Sequence, residues 1–298
     1  MISSERMQEA NPVVRVNHEA GVREEMDFIG SGPDRIFSVL HAPLAPPRGA
    51  VLICSSFLAE LIADYTEEVL LARRLCEQGI MVRRFHFRGT GHSDGDAVNV
   101  TLDSMSADAA EVAEILQADA GSAPLGFVGT RVGGMVASFV ARRYPEAPLA
   151  LCEPAIAGDR LLREIVRNRL IQQMKEEHRR DSRTTEDLFA AVESEGFVDL
   201  LGYPLTKVFC DSIRERRLAD ELGSDVRPTL LVHFSRRTNL PAELQRFVDE
   251  ISGKGFAPTV EQIEDEIAWW LHDVRRHFIT RHAEVVGTWL EAQFPEEG

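Results

Sequence analysis

In residues 125–135, LGFVGTRVGGM, an apolar run breaks at Gly129-Thr130-Arg131-Val132-Gly133, and a helical pattern resumes at once through Val136, Phe139, Val140 and Tyr144. A strand that turns this sharply into a helix needs small residues on both sides of one lifted side chain. When that side chain is serine, the spacing G-x-S-x-G presents a nucleophile. Here it is Arg131, which stays protonated at any reachable pH and cannot attack a carbonyl. Two uses remain for a guanidinium at the head of a helix. It can hold a carboxylate or phosphate beside the Val132 N–H. Alternatively it pairs internally with Glu60 or Glu153, both expected at strand ends on one sheet edge. A bare buried guanidinium would be costly, so some partner is required. The two uses can coexist, with the ion pair presenting Glu60 as an acid or base.

Other chemistry-bearing residues carry less. Gly89-Thr90-Gly91 does not complete G-x-G-x-x-G and no helix starts there, so it is no dinucleotide loop. His272, His277 and His282 recur every fifth residue, which on a helix separates them by about 140° per step, and they share no metal-binding face. No metal site and no cofactor is expected. Ser93 and Asp94 fit local hydrogen bonding in the loop they occupy. Cys54, at the end of a buried strand, fits packing better than nucleophilic attack.

The elements that must position these residues alternate. Segments 22–29 and 35–41 read as an antiparallel hairpin at a sheet edge, separated by GSGPD. Residues 50–54 (AVLIC), 80–87, the run into the elbow, 148–154 (PLALCEP), 228–234 (PTLLVHF) and 258–263 read as buried strands of a mostly parallel sheet. Helices expected over 65–77, 104–118, from Pro241 onward and over 274–294 cover both faces. Between 155 and 225 the rhythm is helical, with Leu161, Leu162, Ile165, Val166, Leu170, Ile171 and Met174 in phase and no strand evident. We read residues 1–20 as a loose arm, 21–154 and 226–298 as the core, and 155–225 as an inserted helical cap. The cap's arginines, Arg160, Arg163, Arg167 and Arg169 among them, are either a solvated face or a basic rim over an anionic ligand.

A net charge of −15 argues against nucleic-acid and anionic-membrane partners. Four scattered cysteines, Cys54, Cys76, Cys152 and Cys210, have no C-x-x-C spacing and read as reduced. The polar first twenty residues predict no signal peptide, and no apolar run reaches the ~20 residues of a membrane helix. A cytoplasmic protein is expected. Its partner is a small molecule, with a homodimer as a further candidate.

The strand order, the loop Arg88-Gly89-Thr90-Gly91-His92-Ser93-Asp94-Gly95 and the elbow Gly129 to Gly133 resemble the α/β-hydrolase superfamily over nearly the whole chain. More narrowly, Phe57-Leu58-Ala59-Glu60, Gly129-Thr130-Arg131-Val132-Gly133 and Cys152-Glu153-Pro154-Ala155-Ile156-Ala157-Gly158 are similar to hydrolase-like proteins associated with the exosortase system. Members of that group also carry arginine where the serine is expected. The superfamily resemblance implies an acid after the strand ending at Phe234 and a histidine before the final helix. The first loop reads Ser235-Arg236-Arg237-Thr238-Asn239, without a carboxylate, and the histidine candidate is His272. Where such folds often place His-Gly for the oxyanion, this chain has Ser55-Ser56-Phe57.

The expected site therefore joins Arg131, Glu60 and His272 as reacting groups. Ser55, Ser56, Phe57, Val132, Glu153, Arg237 and Trp270 would contact the ligand, with Trp269 and Trp270 either lining the cavity or packing. Three functions fit. One is a hydrolase relative that binds, or transforms without hydrolysis, an acidic or acyl-bearing small molecule. Another is an esterase or thioesterase with a different nucleophile or an activated water. The third is a scaffold whose cap binds a protein.

Overall fold

In the computed structural model, which describes residues 12–176, 183–200, 202–237, 239–264 and 280–295, strand parity builds the layers. In β4 (Gly49–Cys54), Val51 and Ile53 pack with Leu71 and Leu75 of α1 (Glu60–Glu77) and with Val286 and Leu290 of α9 (Thr280–Gln293). Ala50, Leu52 and Cys54 turn to the opposite face. They join the cluster of Met105 and Leu116 from α2 (Leu102–Ala120), Val136 and Val140 from α3 (Gly133–Ala141), and Phe247 from α8 (Ala242–Gly253). A strand buried on both sides reads as the unbroken apolar run the sequence shows.

The sheet runs β1 (Val13–Asn17), β2 (Val22–Ile29), β3 (Ile36–Pro43), β5 (Ile80–Phe85), β4, β6 (Leu125–Thr130), β7 (Leu149–Cys152), β10 (Thr229–Phe234), β11 (Thr259–Ile263). From β5 to β11 every pairing is parallel, and β1 to β3 add an antiparallel flank. The fold is α/β, mostly parallel, with helices on both faces.

Three local expectations change. The arm contains a strand: Val13, Val14 and Val16 pair along β2, so β1 and not the 22–41 hairpin forms the sheet edge. The first helix starts at Glu60 rather than Tyr65, because its inward face begins with carboxylates (Glu60, Asp64, Glu67, Glu68) that no apolar periodicity reveals. The stretch between β7 and β10 holds α4 (Gly158–Glu176), α5 (Thr185–Glu195), a hairpin of β8 (Phe197–Leu200) and β9 (Tyr203–Thr206), α6 (Lys207–Ile213) and α7 (Leu218–Glu221). The hairpin was hidden by its length; Val198 and Leu200 are buried, but four residues of alternation directly after a helix do not break a helical period.

This inserted stretch is continuous with the core. Phe209 of α6 packs on Phe57 with ring centroids 4.5 Å apart, and the Ser212 hydroxyl accepts from the Leu102 N–H at 3.0 Å. Below the sheet, Phe294 lies so close over Gly49 and Gly126 that a Cβ on either glycine would meet its ring. No helix among the described residues is long and apolar enough to cross a membrane.

Candidate active site

The elbow is built by close approach. A Cβ at Gly129 would strike the backbone of Gly133 and Gly134, and one at Gly133 would strike the carbonyls of Cys54 and Ser55 at the end of β4. Between them Arg131 has φ +54°, a region unfavourable for a side-chain-bearing residue by on the order of 1–3 kcal/mol. Its backbone is held there: the N–H donates to the Cys152 carbonyl at 3.0 Å, and its carbonyl accepts from Gly134 and Ala155, each at 3.1 Å. Among the described residues the other non-glycine positive φ values are Leu58 at +57° and Glu153 at +44°. All three follow adjacent strands β4, β6 and β7 at their carboxyl ends, so the backbone strain collects at one edge.

Arg131 is buried, and its fork meets Glu60 in two bonds, Nε to Oε2 and Nη2 to Oε1, both 3.2 Å. Nη2 also lies 3.1 Å from Glu164 of α4, and Nη1 donates to the Glu153 carbonyl at 3.4 Å. Desolvation opposes the charge, but Glu60, Glu164 and Glu153 outweigh it and raise the guanidinium's pKa further. Glu60 responds in the opposite sense. Burial pushes its carboxyl above the usual range, while the Arg131 charge and bonds pull it back only in part. The internal pair with Glu60 is thus present in the structure. Glu60 reaches Arg131 from the first turn of α1, not from a strand end.

Glu153 makes a different pair from the one weighed in the sequence. Its carboxylate Oε1 lies 2.8 Å from His233 Nδ1 and accepts the Phe234 N–H, so only its backbone carbonyl serves Arg131. His233, one residue from the end of β10, is the group the sequence reading missed. The signal was weak: a histidine inside PTLLVHF looks like one more strand residue. The resemblance places the acid in the loop after β10, but the carboxylate facing that strand's end, Glu153, directly follows the neighbouring β7.

A cleft of about 270 Å³ opens between these strand ends, α4 and the start of α8. Arg131, Glu153 and His233 form its inner wall, and Arg160, Glu164 and Arg167 of α4 its outer wall. Ile156, Leu161, Phe234 and Leu244 give it an apolar side. Arg160 is tied to Glu243 of α8 at 2.8 Å, whereas Arg167 has no hydrogen bond or ion pair among the described residues.

The remaining candidates fall elsewhere. Ser55 and Ser56 are buried and do not line this cleft; the Ser55 hydroxyl lies 3.5 Å from the Phe85 carbonyl, and Phe57 is committed to Phe209. Val132 is buried at the head of α3. Arg237 is exposed outside the cleft, its N–H bonded to Ser235 Oγ at 3.0 Å. His272, Trp269 and Trp270 lie outside the described residues. Ser93 and Asp94 tie their loop across to β3: Phe37 N–H donates to Ser93 Oγ at 2.9 Å, and Arg35 pairs with Asp94 at 2.7 Å. Cys54 is fully buried, and desolvation raises its thiol well above its ordinary value, as packing requires. Among the described residues no three metal-ligating side chains converge.

Behind Arg131, α1 turns four carboxylates inward. Burial raises Asp64 well above its usual range, helped by Glu68 and opposed by the Thr130 hydroxyl. Glu68 is likewise raised by burial against the pull of Arg84, Ser55 and Asp64. The raised values reflect the cost of placing two carboxylate charges side by side in the core.

A family model described as serine aminopeptidase, S33 matches residues 45–193, that is 193 − 45 + 1 = 149 of the chain's 298 residues. No curated protein matches the sequence. Among solved structures, an esterase from Pyrococcus furiosus is similar at TM-score 0.63 and 16% identity, over 97% of this chain and 99% of that one. Est1E from Butyrivibrio proteoclasticus gives 0.60 and 15%, over 90% and 98%. A thioesterase domain from the curacin biosynthetic pathway gives 0.54 and 16%, over 90% and 99%. At such identities the structures speak for the fold alone, and they agree on it. Half the chain matched, a strand order from β5 to β11 that is parallel throughout, and a glycine-flanked elbow between β6 and α3 lead to one assignment: the chain belongs to the serine aminopeptidase, S33 family of the α/β hydrolases.

Proposed function

We propose that this protein is an α/β-hydrolase relative without a serine nucleophile, which binds an acidic or acyl-bearing small molecule in the cleft beneath residues 155–225, acting as its cap. The observation that carries the reading is the side chain lifted at the elbow: a buried guanidinium bordering the cleft where a hydroxyl would have to stand to attack. Resemblance of the segments around Phe57, Arg131 and Glu153 to the exosortase-associated group, whose members share the arginine, supports the same placement. Among Glu60, Glu153 and Glu164 around Arg131, Glu164 is the most exposed, its side chain 27% accessible, and it comes from the insertion. A ligand carboxylate or acyl oxygen exchanges with Glu164 and leaves the Glu60 pair in place. Apolar Ile156, Leu161 and Leu244 take the acyl chain, and Arg167 adds a second cation at the mouth. All of these groups come from one chain. A cytoplasmic location accords with four cysteines that form no disulfide.

The test is labelling with a fluorophosphonate together with calorimetric titration of straight-chain carboxylates from butyrate to octanoate. Expected are no covalent adduct on any serine and saturable carboxylate binding that is lost in Arg131→Ser. A serine adduct sinks the reading. Arg131→Ser should also bring no large gain in ester cleavage, because it removes the guanidinium that holds the acyl group and the loop after β10 supplies no acid.

A further inference from the structure

The His233–Glu153 pair belongs to the cleft just described but has no part in binding a carboxylate at Arg131. Its geometry is that of an oriented base. Glu153 Oε1 lies 2.8 Å from His233 Nδ1, within ion-pair distance, and accepts the Phe234 N–H. A carboxylate at Nδ1 keeps the proton there and leaves Nε2 as the acceptor. Nε2 has no hydrogen-bond partner among the described residues, and His233 lines the cleft beside Arg131. Glu153 takes this position at φ +44°, so the backbone gives up conformational ease to place the carboxylate. The His233 side chain keeps 13% of its surface accessible and lines the cleft, so the pair is not sealed in the core.

We propose that His233 and Glu153 form a general-base dyad that activates water against an acyl ester or thioester bound in the cleft, which makes the protein a hydrolase with no acyl-enzyme. This rests on the binding reading above and adds a reaction to it. His233 Nε2 takes a proton from water as the water oxygen bonds to the acyl carbon. The carbonyl electron pair moves onto oxygen, where the Arg131 guanidinium balances the charge. The pair returns, the C–O or C–S bond breaks, and the departing oxygen or sulfur takes the proton from the imidazolium. Products are a carboxylic acid, which releases its remaining proton to solvent to become the carboxylate, and an alcohol or thiol, and nothing is oxidised or reduced. His233 is the catalytic residue; Glu153 is a positioning residue that acts through it. The charged groups facing the dyad are Arg131 from the elbow, Arg160, Glu164 and Arg167 from α4, and Glu243 from α8.

The experiment measures hydrolysis of p-nitrophenyl butyrate and a butyryl N-acetylcysteamine thioester by the full chain, with acid-quenched intact mass to detect any acyl adduct. Expected is slow turnover with no adduct, insensitive to fluorophosphonate. His233→Gln should lose about 10²-fold or more in kcat. Glu153→Gln should lower kcat by about tenfold or more with little change in KM, while Glu153→Asp recovers part of the loss. Arg143→Ala, an exposed change far from the cleft, should match the wild type. No turnover, turnover undiminished in His233→Gln, or an acyl adduct overturns the dyad. Saturable butyrate binding without turnover overturns the dyad alone, whereas failure of carboxylate binding removes the reading beneath it.

Discussion

Arg131 and Glu60 show how a buried charge is tolerated. Each would cost several kcal/mol alone, and the two-bond geometry returns most of that cost. Removing one partner is therefore worse than removing both. Arg131→Met should lower stability by about 3–5 kcal/mol in urea titrations, and Arg131→Met combined with Glu60→Leu should recover most of the loss. Two independent losses that simply add would contradict the pairing. At this scale the sequence was informative about Arg131, because glycines at both flanks dictate a lifted side chain. It was silent about His233. Nothing in a strand's composition tells which of its alternate residues ends beside a carboxylate on the next strand.

Among the elements, α4 closes the cleft through two ion pairs, Glu164 to Arg131 and Arg160 to Glu243. Both acids sit on half-open surfaces, where such pairs are worth at most about 1 kcal/mol. Glu164→Gln should thus leave the urea midpoint nearly unchanged, yet strengthen octanoate binding by about 3- to 10-fold, because the internal competitor for the guanidinium is gone. Weaker binding in that variant would show Glu164 to be part of the ligand's own site. The boundary of α1 explains a sequence-level miss in the same terms. Its first two turns present Glu60, Asp64, Glu67 and Glu68 inward, and hydrophobic periodicity finds a helix only where the inward residues are apolar. The alternation of buried strands and helices, by contrast, was legible from Ala50 to Phe234, because burial on both faces forces continuous apolar runs.

For the whole molecule, titration follows from what the core encloses. Burial lowers His282 to about 4, and burial, with His92 and Arg84, lowers His86 to about 4, against an ordinary value of 6.5. Groups with depressed folded values bind fewer protons folded than unfolded between those limits. The stability they confer is complete above pH 6.5 and disappears as pH falls toward 4, at up to about 1.4 kcal/mol per pH unit for each. Asp64 and Glu68 act in the opposite direction, since their raised values make the fold weaken as pH rises. His282→Gln should flatten the acid limb of stability against pH, and Asp64→Asn should flatten the other. An unchanged acid limb in His282→Gln would mean that the ring is accessible to protons in the native state.

Phe294 carries a kinetic consequence. Its ring seals the first parallel strand against a residue from the other end of the chain, closing over Gly49 and Gly126. Contacts this distant in sequence form late, after their loop entropy has been met by nearer ones. Phe294→Ala should accordingly cost about 3–5 kcal/mol and appear almost wholly as faster unfolding, with the refolding arm of the chevron little moved. The lifetime of the native state, more than the speed of reaching it, is set by that one ring.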